Sequence, residues 1–252
     1  MNIKKIKKQL LTYLKNNYDL TDSNILRKYE HIQTVADYSS IIATMLNLSK
    51  KDQKLAYVLG LFHDYGRFEQ WKLYKTYNDS LSVSHAHLGT QLLFTQNQTS
   101  YFSVPQNYHN LLEIAINEHS SLAIDPTIKN ERIKMFCKII RNADKSNLYE
   151  LYISGAIPIF TNLDGVSIEV IEAIQNNSCV DTKFVKTKLD RALLTLSSIY
   201  DLDYDFAFNK LKEIDYFNKL KERFIKILNE EDYKILVELV EKVEKSIINK
   251  NT

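Results

Sequence analysis

Apolar residues recur at intervals of three and four along almost the whole chain. Ile3, Ile6, Leu10 and Leu14 mark one face of a first helix, with lysines opposite. The same period predicts helices over 3–17, 22–47, 51–65, 84–96, 107–120, 131–152, 167–176, 184–199, 204–211, 213–229 and 231–249. Little of the chain suggests strand, so the expected fold is all-α. Two longer connections interrupt the pattern: 66–83, GRFEQWKLYKTYNDSLSV, which is aromatic and basic, and 154–166, SGAIPIFTNLDGV. The second holds Gly155, Pro158 and Gly165 but is too apolar for a free linker. The expected organisation is therefore a helical core over 1–155 and a C-terminal helical extension over 156–252 packed on it.

Composition supports the helical reading. The 252 residues include 5 Gly and 3 Pro, where average usage would give about 30 together, so hairpins and tight turns lack their usual residues. With 33 basic and 31 acidic side chains the net charge is +2, too balanced to nominate nucleic acid as a partner. The two cysteines, Cys137 and Cys179, cannot staple a small secreted domain and fit a reducing compartment. The start, MNIKKIKKQLLTYL, is basic, but Gln9 and Thr12 interrupt its apolar stretch and no small-residue cleavage site follows. No run approaches the ~18 apolar residues of a membrane span. A soluble, cytoplasmic protein is expected, with no membrane partner.

Against this background two acids are out of place. Leu55 to Phe62 carries no charge and reads as a buried helix, which then meets His63 and Asp64 before Gly66, read as its terminator. A carboxylate at the C-terminal end of a buried helix faces the negative pole of the macrodipole and loses water, costs that a nearby cation would reverse. Asp144 repeats the anomaly, falling on the stripe of Ile133, Phe136, Cys137, Ile140, Leu148 and Leu151. Its neighbours Arg141 and Lys145 are rotated away around the helix.

Histidines collect on similar faces. His119 closes an apolar helix in line with Leu112, Ala115 and Ile116; His85 opens SHAHLGTQLLF in line with Leu88, Gly89 and Leu92; His31 flanks the stripe of an early helix. Any one of them alone reads as a satisfied core histidine. Four histidines and two aspartates on inward faces of five helices are what a bundle needs to converge on a metal, since imidazole and carboxylate suit iron, manganese, nickel or zinc. His87 lies about 200° around the helix from His85 and His109 sits in the polar stretch QNYHN, so both are read as outside such a site.

The order His31, then His63–Asp64 within LFHDYGRFEQ, then Asp144 within RNADKSN resembles the H…HD…D signature of the HD superfamily of metal-dependent phosphohydrolases. HAHLG, through His85, and the lone His119 are similar to the six-ligand, two-metal members. Tyr65 and Ser120 depart from the usual pattern, and the GYP signature of cyclic-di-GMP phosphodiesterases is absent. The resemblance implies an HD-type bundle and one or two divalent transition metals per chain. One metal would be held by His31, His63, Asp64 and Asp144, and a second by Asp64, His85 and His119.

Two cations roughly 3.5–4 Å apart would generate hydroxide from a bridging water and clamp a phosphate. Asp64 would act as the catalytic bridge, with Arg67 and Lys145 contacting phosphate and Trp71, Tyr74 and Tyr77 holding a flat group. The expected activity is hydrolysis of a small phosphorylated molecule, a nucleotide or other phosphoester, in a chain free to form a homo-oligomer. The alternative is a mixed-valence di-iron oxygenase acting on a small organic substrate.

Overall fold

A computed structural model describes residues 1–248. Thirteen helices, and no strand among the described residues, follow in order: α1 Ile3–Asn17, α2 Ser23–Met45, α3 Lys50–Phe62, α4 Gly66–Tyr74, α5 His85–Thr90, α6 Gln98–Tyr101, α7 His109–Glu118, α8 Glu131–Ile153, α9 Ile168–Gln175, α10 Lys188–Ser197, α11 Asp205–Glu213, α12 Tyr216–Phe224 and α13 Glu230–Ile248. The fold is all-α, as the period requires. None of these helices is long and apolar enough to cross a membrane.

The helix starts are written locally. Asp22 accepts the amide of Asn24 before α2, Ser49 accepts that of Asp52 before α3, and Thr187 with Asp190 forms a reciprocal capping box before α10. The expected 84–96 helix runs as α5 and then widens into a π-turn over Gln91–Thr95.

The expected loop 66–83 is the main correction. Its first half is α4, and a 3₁₀ turn covers Asp79–Leu81. The period is weak there because Gly66 and Gln70 are buried beside Phe68, while Leu73 and Tyr74, further along the stripe of Gly66 and Gln70, are exposed. Nor does Gly66 end the preceding helix. His63 and Tyr65 keep right-handed helical backbone angles, so Gly66 opens the next helix.

The chain divides into two compact units, Met1–Asp144 and the described residues from Lys145 onward. In the first, Leu10, Leu14, Ile32, Val35, Leu55, Val58, Leu59 and Phe62 are among the residues fully removed from water. Packing of α2 on α3 is close enough that a Cβ on Gly60 would stand 2.4 Å from Ala36 Cα and 2.8 Å from Val35 O. In the second unit Tyr149, Val170, Ile174, Leu193, Tyr216, Phe224 and Val240 form the core. The 154–166 stretch is tied down there. Arg223 donates to the carbonyls of Tyr152 and Ile157, and Asp232 accepts the amide of Gly165, whose φ of +86° favours glycine.

Gly60 gives a direct test of the α2–α3 contact. Gly→Ala inside a helix ordinarily gains about 0.5–1 kcal/mol, whereas overpacking costs about 1–3 kcal/mol. The atoms that a Cβ would meet are backbone and cannot swing aside. Gly60→Ala should therefore lower the unfolding free energy in a urea titration; a gain would mean that the helices separate without cost.

Candidate metal centre

His31 projects from α2, His63 follows the last residue of α3, and Asp64 lies in the turn before α4. His85 is the first residue of α5, His119 follows α7, and Asp144 sits on α8. The turn after α3 is fixed by Tyr65 N–H to Phe62 O at 3.1 Å and Arg67 N–H to Asp64 O at 2.9 Å. Gly66 then admits α5, since a Cβ there would stand 2.1 Å from His85 O and 2.6 Å from Gly89 N. Two glycines at this crossing bring His85 beside Asp64.

All six side chains sequence reasoning nominated as ligands lie together. The two oxygens of Asp64 face different partners. Oδ2 is 3.5 Å from His31 Nε2 and 3.8 Å from His63 Nε2; Oδ1 is 3.3 Å from His85 Nε2 and 3.6 Å from His119 Nε2. Asp144 Oδ1 joins the first pair, 3.1 Å from His31 Nε2 and 3.6 Å from His63 Nε2. His87 is exposed; His109 contacts Val104 O at 3.1 Å and the ring of Phe94.

Proton accounting shows that these donors fit a cation. His63 Nδ1 lies 2.7 Å from Gly60 O and His119 Nδ1 lies 2.6 Å from Ile116 O. A carbonyl only accepts, so both Nδ1 atoms carry a proton, and each ring in its neutral form presents the Nε2 lone pair inward. His85 Nδ1 donates likewise to Asp79 Oδ2 at 2.7 Å. His85 Nε2 and His119 Nε2 then face each other at 3.1 Å beside Asp64 Oδ1, so with neutral rings and an ionised carboxyl three lone pairs converge there. Ligands about 2.0–2.2 Å from one metal stand roughly 3–4 Å from each other, matching the spacings above. Three overlapping groups have donor atoms within 4.8 Å of one another: His31, His63 and Asp64; His63, His119 and Asp144; and Asp64, His85 and His119.

Residues 29–147 match the family model of the HD domain. This chain carries an HD domain. The matched span holds all six side chains, and HD domains are generally metal-dependent phosphohydrolases that bind divalent metals. No curated protein and no solved structure matches the chain.

Around the HD dyad, burial would push the Asp64 carboxyl up, but the fixed positive charges beside it, Lys28 first and Arg67 with it, hold it well below the ordinary range. For Asp144 burial is likewise outweighed, first by a hydrogen bond from His31. Lys28 escaped sequence reasoning. Its ammonium is 2.7 Å from Asp64 Oδ2, and its place one turn before His31 was the available signal. Asp79, which orients His85, opens a short 3₁₀ turn with no periodic signal. It also accepts from Arg67 Nη1 at 2.7 Å and Gln70 Nε2 at 2.9 Å.

Of the nominated phosphate contacts, Arg67 is at the site, its Nε 3.5 Å from Asp64 Oδ1. Lys145 pairs with Asp201 Oδ2 at 2.7 Å. Trp71 and Tyr77 are anchored rather than loose: Trp71 Nε1 donates to Asp22 at 2.7 Å, Tyr77 OH donates to Asn24 O at 2.9 Å, and the rings are 5.0 Å apart. Tyr74 is exposed.

Arg141 holds His119 in place. Fully buried, it donates at 2.6 Å to the carbonyls of Glu118 and Ser121 and at 3.2 Å to that of Leu122, the chain flanking the histidine. Hydrogen bonds to a charged group contribute about 1.5–3 kcal/mol each, and lost partners would leave these carbonyls unsatisfied. Arg141→Met should cost at least about 3 kcal/mol in denaturant unfolding; a loss under about 1 kcal/mol would show that water replaces the guanidinium freely.

His85 supplies a pH signature. Burial and Arg67 outweigh Asp79 and Asp64 and push it down to about 3 from 6.5. A folded value below the unfolded one means the unfolded chain binds the extra proton between these limits, so stability falls as pH drops through about 6.5 toward 3. Unfolding of metal-free protein in chelator between pH 7 and 4 should show this. His85→Gln should flatten the slope by up to one proton, about 1.4 kcal/mol per pH unit; an unchanged slope would contradict the assignment.

Proposed function

We propose that this HD-domain chain is a metal-dependent phosphohydrolase acting on a small phosphorylated substrate, a nucleotide or other phosphoester. His31, His63, Asp64 and Asp144 hold one cation, and Asp64, His85 and His119 hold a second. The observation that supports this reading is the divided environment of Asp64, one oxygen toward each set of imidazole nitrogens. Divalent cations bound there lower the pKa of a water toward neutrality and offset charge on phosphate oxygens.

The protein's own groups supply the rest. Nδ1 protons held by Gly60 O, Ile116 O and Asp79 keep three imidazoles in the tautomer that offers Nε2 inward. Arg67 is fixed through Nη1 by Gln70 Oε1, Tyr77 O and Asp79 Oδ1, each at 2.7 Å, and so presents a rigid positive group beside Asp64 to orient a phosphate. Trp71 and Tyr77 give the same side an aromatic wall. Lys145 is 2.7 Å from Asp201 Oδ2, and Arg67 is the principal cation of this reading.

Metal analysis of purified protein tests the partition. Wild type should carry about two metals per chain. Asp64→Ala should lose both, whereas His85→Ala should retain one; loss of both in the His85 variant would sink the two-site assignment. Phosphomonoester, phosphodiester and nucleotide assays with Fe, Mn, Ni or Zn restored test the chemistry. Iron with oxygen consumption and no phosphate release would overturn hydrolysis in favour of a di-iron oxygenase.

A further inference from the structure

We propose that Lys28 is a substrate-binding residue which, with Arg67, spans Asp64 to grip the doubly charged phosphate of a phosphomonoester. This deepens the phosphohydrolase reading and rests on it. The two cations reach the same carboxylate from different helices. Lys28, on α2, lies at Oδ2, 2.7 Å away; Arg67, on α4, lies with Nε 3.5 Å from Oδ1. Both side chains are mostly buried, 14% and 15% exposed, and both lie against one ring, that of Tyr77, at 5.4 and 5.9 Å from its centroid.

The two are equipped differently. Arg67 is locked through Nη1, yet its Nε is buried with no hydrogen-bond partner, a donor unspent beside the site. Lys28 has a compact charge on a flexible four-carbon stem that can turn from a carboxylate to a phosphate oxygen.

Charge makes a merely structural role for Lys28 uneconomical. Asp64, Asp79 and Asp144 carry three negative charges against two positive ones on Lys28 and Arg67, leaving the site one charge negative by itself. One divalent cation makes it +1 and two make it +3. A metal on Asp64 takes over the carboxylate that Lys28 neutralises and repels its ammonium, so an ordinary counterion would be misplaced there. An anion completes the arrangement. Two protein cations beside metal favour a phosphomonoester dianion over a phosphodiester monoanion.

Calorimetric titration of metal-loaded protein with inorganic phosphate and with dimethyl phosphate tests this without reference to turnover. Wild type should bind phosphate more tightly than dimethyl phosphate. Lys28→Met should keep wild-type metal content but weaken phosphate binding at least about tenfold, the effect of losing a charge-assisted contact, and dimethyl phosphate binding less. Lys28→Arg should restore most of the affinity. Lys28→Gln keeps a hydrogen-bond donor for Asp64 without the charge, so it should fold even where the methionine variant does not and should show the same loss. Unchanged phosphate affinity in Lys28→Gln, or metal loss in step with phosphate loss, overturns the proposal and leaves Lys28 as a structural partner of Asp64. Wild type that takes up no metal overturns both readings; wild type that holds metal and phosphate while the Lys28 variants match it overturns this one alone.

Discussion

Inward-facing lone pairs set the terms for the site. Three imidazoles donate their Nδ1–H to a carbonyl or carboxylate behind them and, in the neutral form, turn an Nε2 lone pair toward Asp64. Acceptors held about 3 Å apart with no hydrogen between them repel, and a buried site has no water dielectric to soften that repulsion. The first unit can keep this arrangement because its helices are fixed by a large apolar core, so the electrostatic cost is local while the packing that opposes it is distributed. A cation converts the same geometry from repulsive to attractive, which ties the HD signature to a physical need rather than to a motif alone.

Close backbone approach makes the arrangement reachable. Gly60 lets α3 lie on Ala36 of α2, and this places His63 within 3.3 Å of His31. Gly66 and Gly89 let α5 cross the turn that carries Asp64, bringing His85 to the other carboxylate oxygen. The chain has only 5 glycines, and three of them stand at these two crossings. Arg141 then closes the loop after α7, compensating carbonyls that helix termination leaves unpaired beside His119.

Much of this was legible because it is local. Helical period fixed the class and most elements, failing at 66–74, where one stripe carries a buried glycine and glutamine and then an exposed leucine and tyrosine. Asp64 and Asp144 drew attention as acids on apolar faces, and the histidines as inward-facing imidazoles. Partners distant in sequence carry no such local mark, as the lysines show. Lys145 adjoins Asp144 in sequence, but adjacent helix positions point about 100° apart, and its ammonium goes to Asp201. Lys28, one helical turn from His31, reaches Asp64 instead.

The amino-acid order by itself determined an all-α chain and a small set of imidazoles and carboxylates suited to a divalent metal, because periodicity and side-chain chemistry are properties of each segment. Only the tertiary structure decided which oxygen of Asp64 meets which pair of histidines, that Asp79 and Arg141 hold two of those rings, and which lysine stands at the carboxylate. Those outcomes depend on approaches of a few ångströms between segments tens of residues apart, set by where a missing Cβ lets two backbones touch.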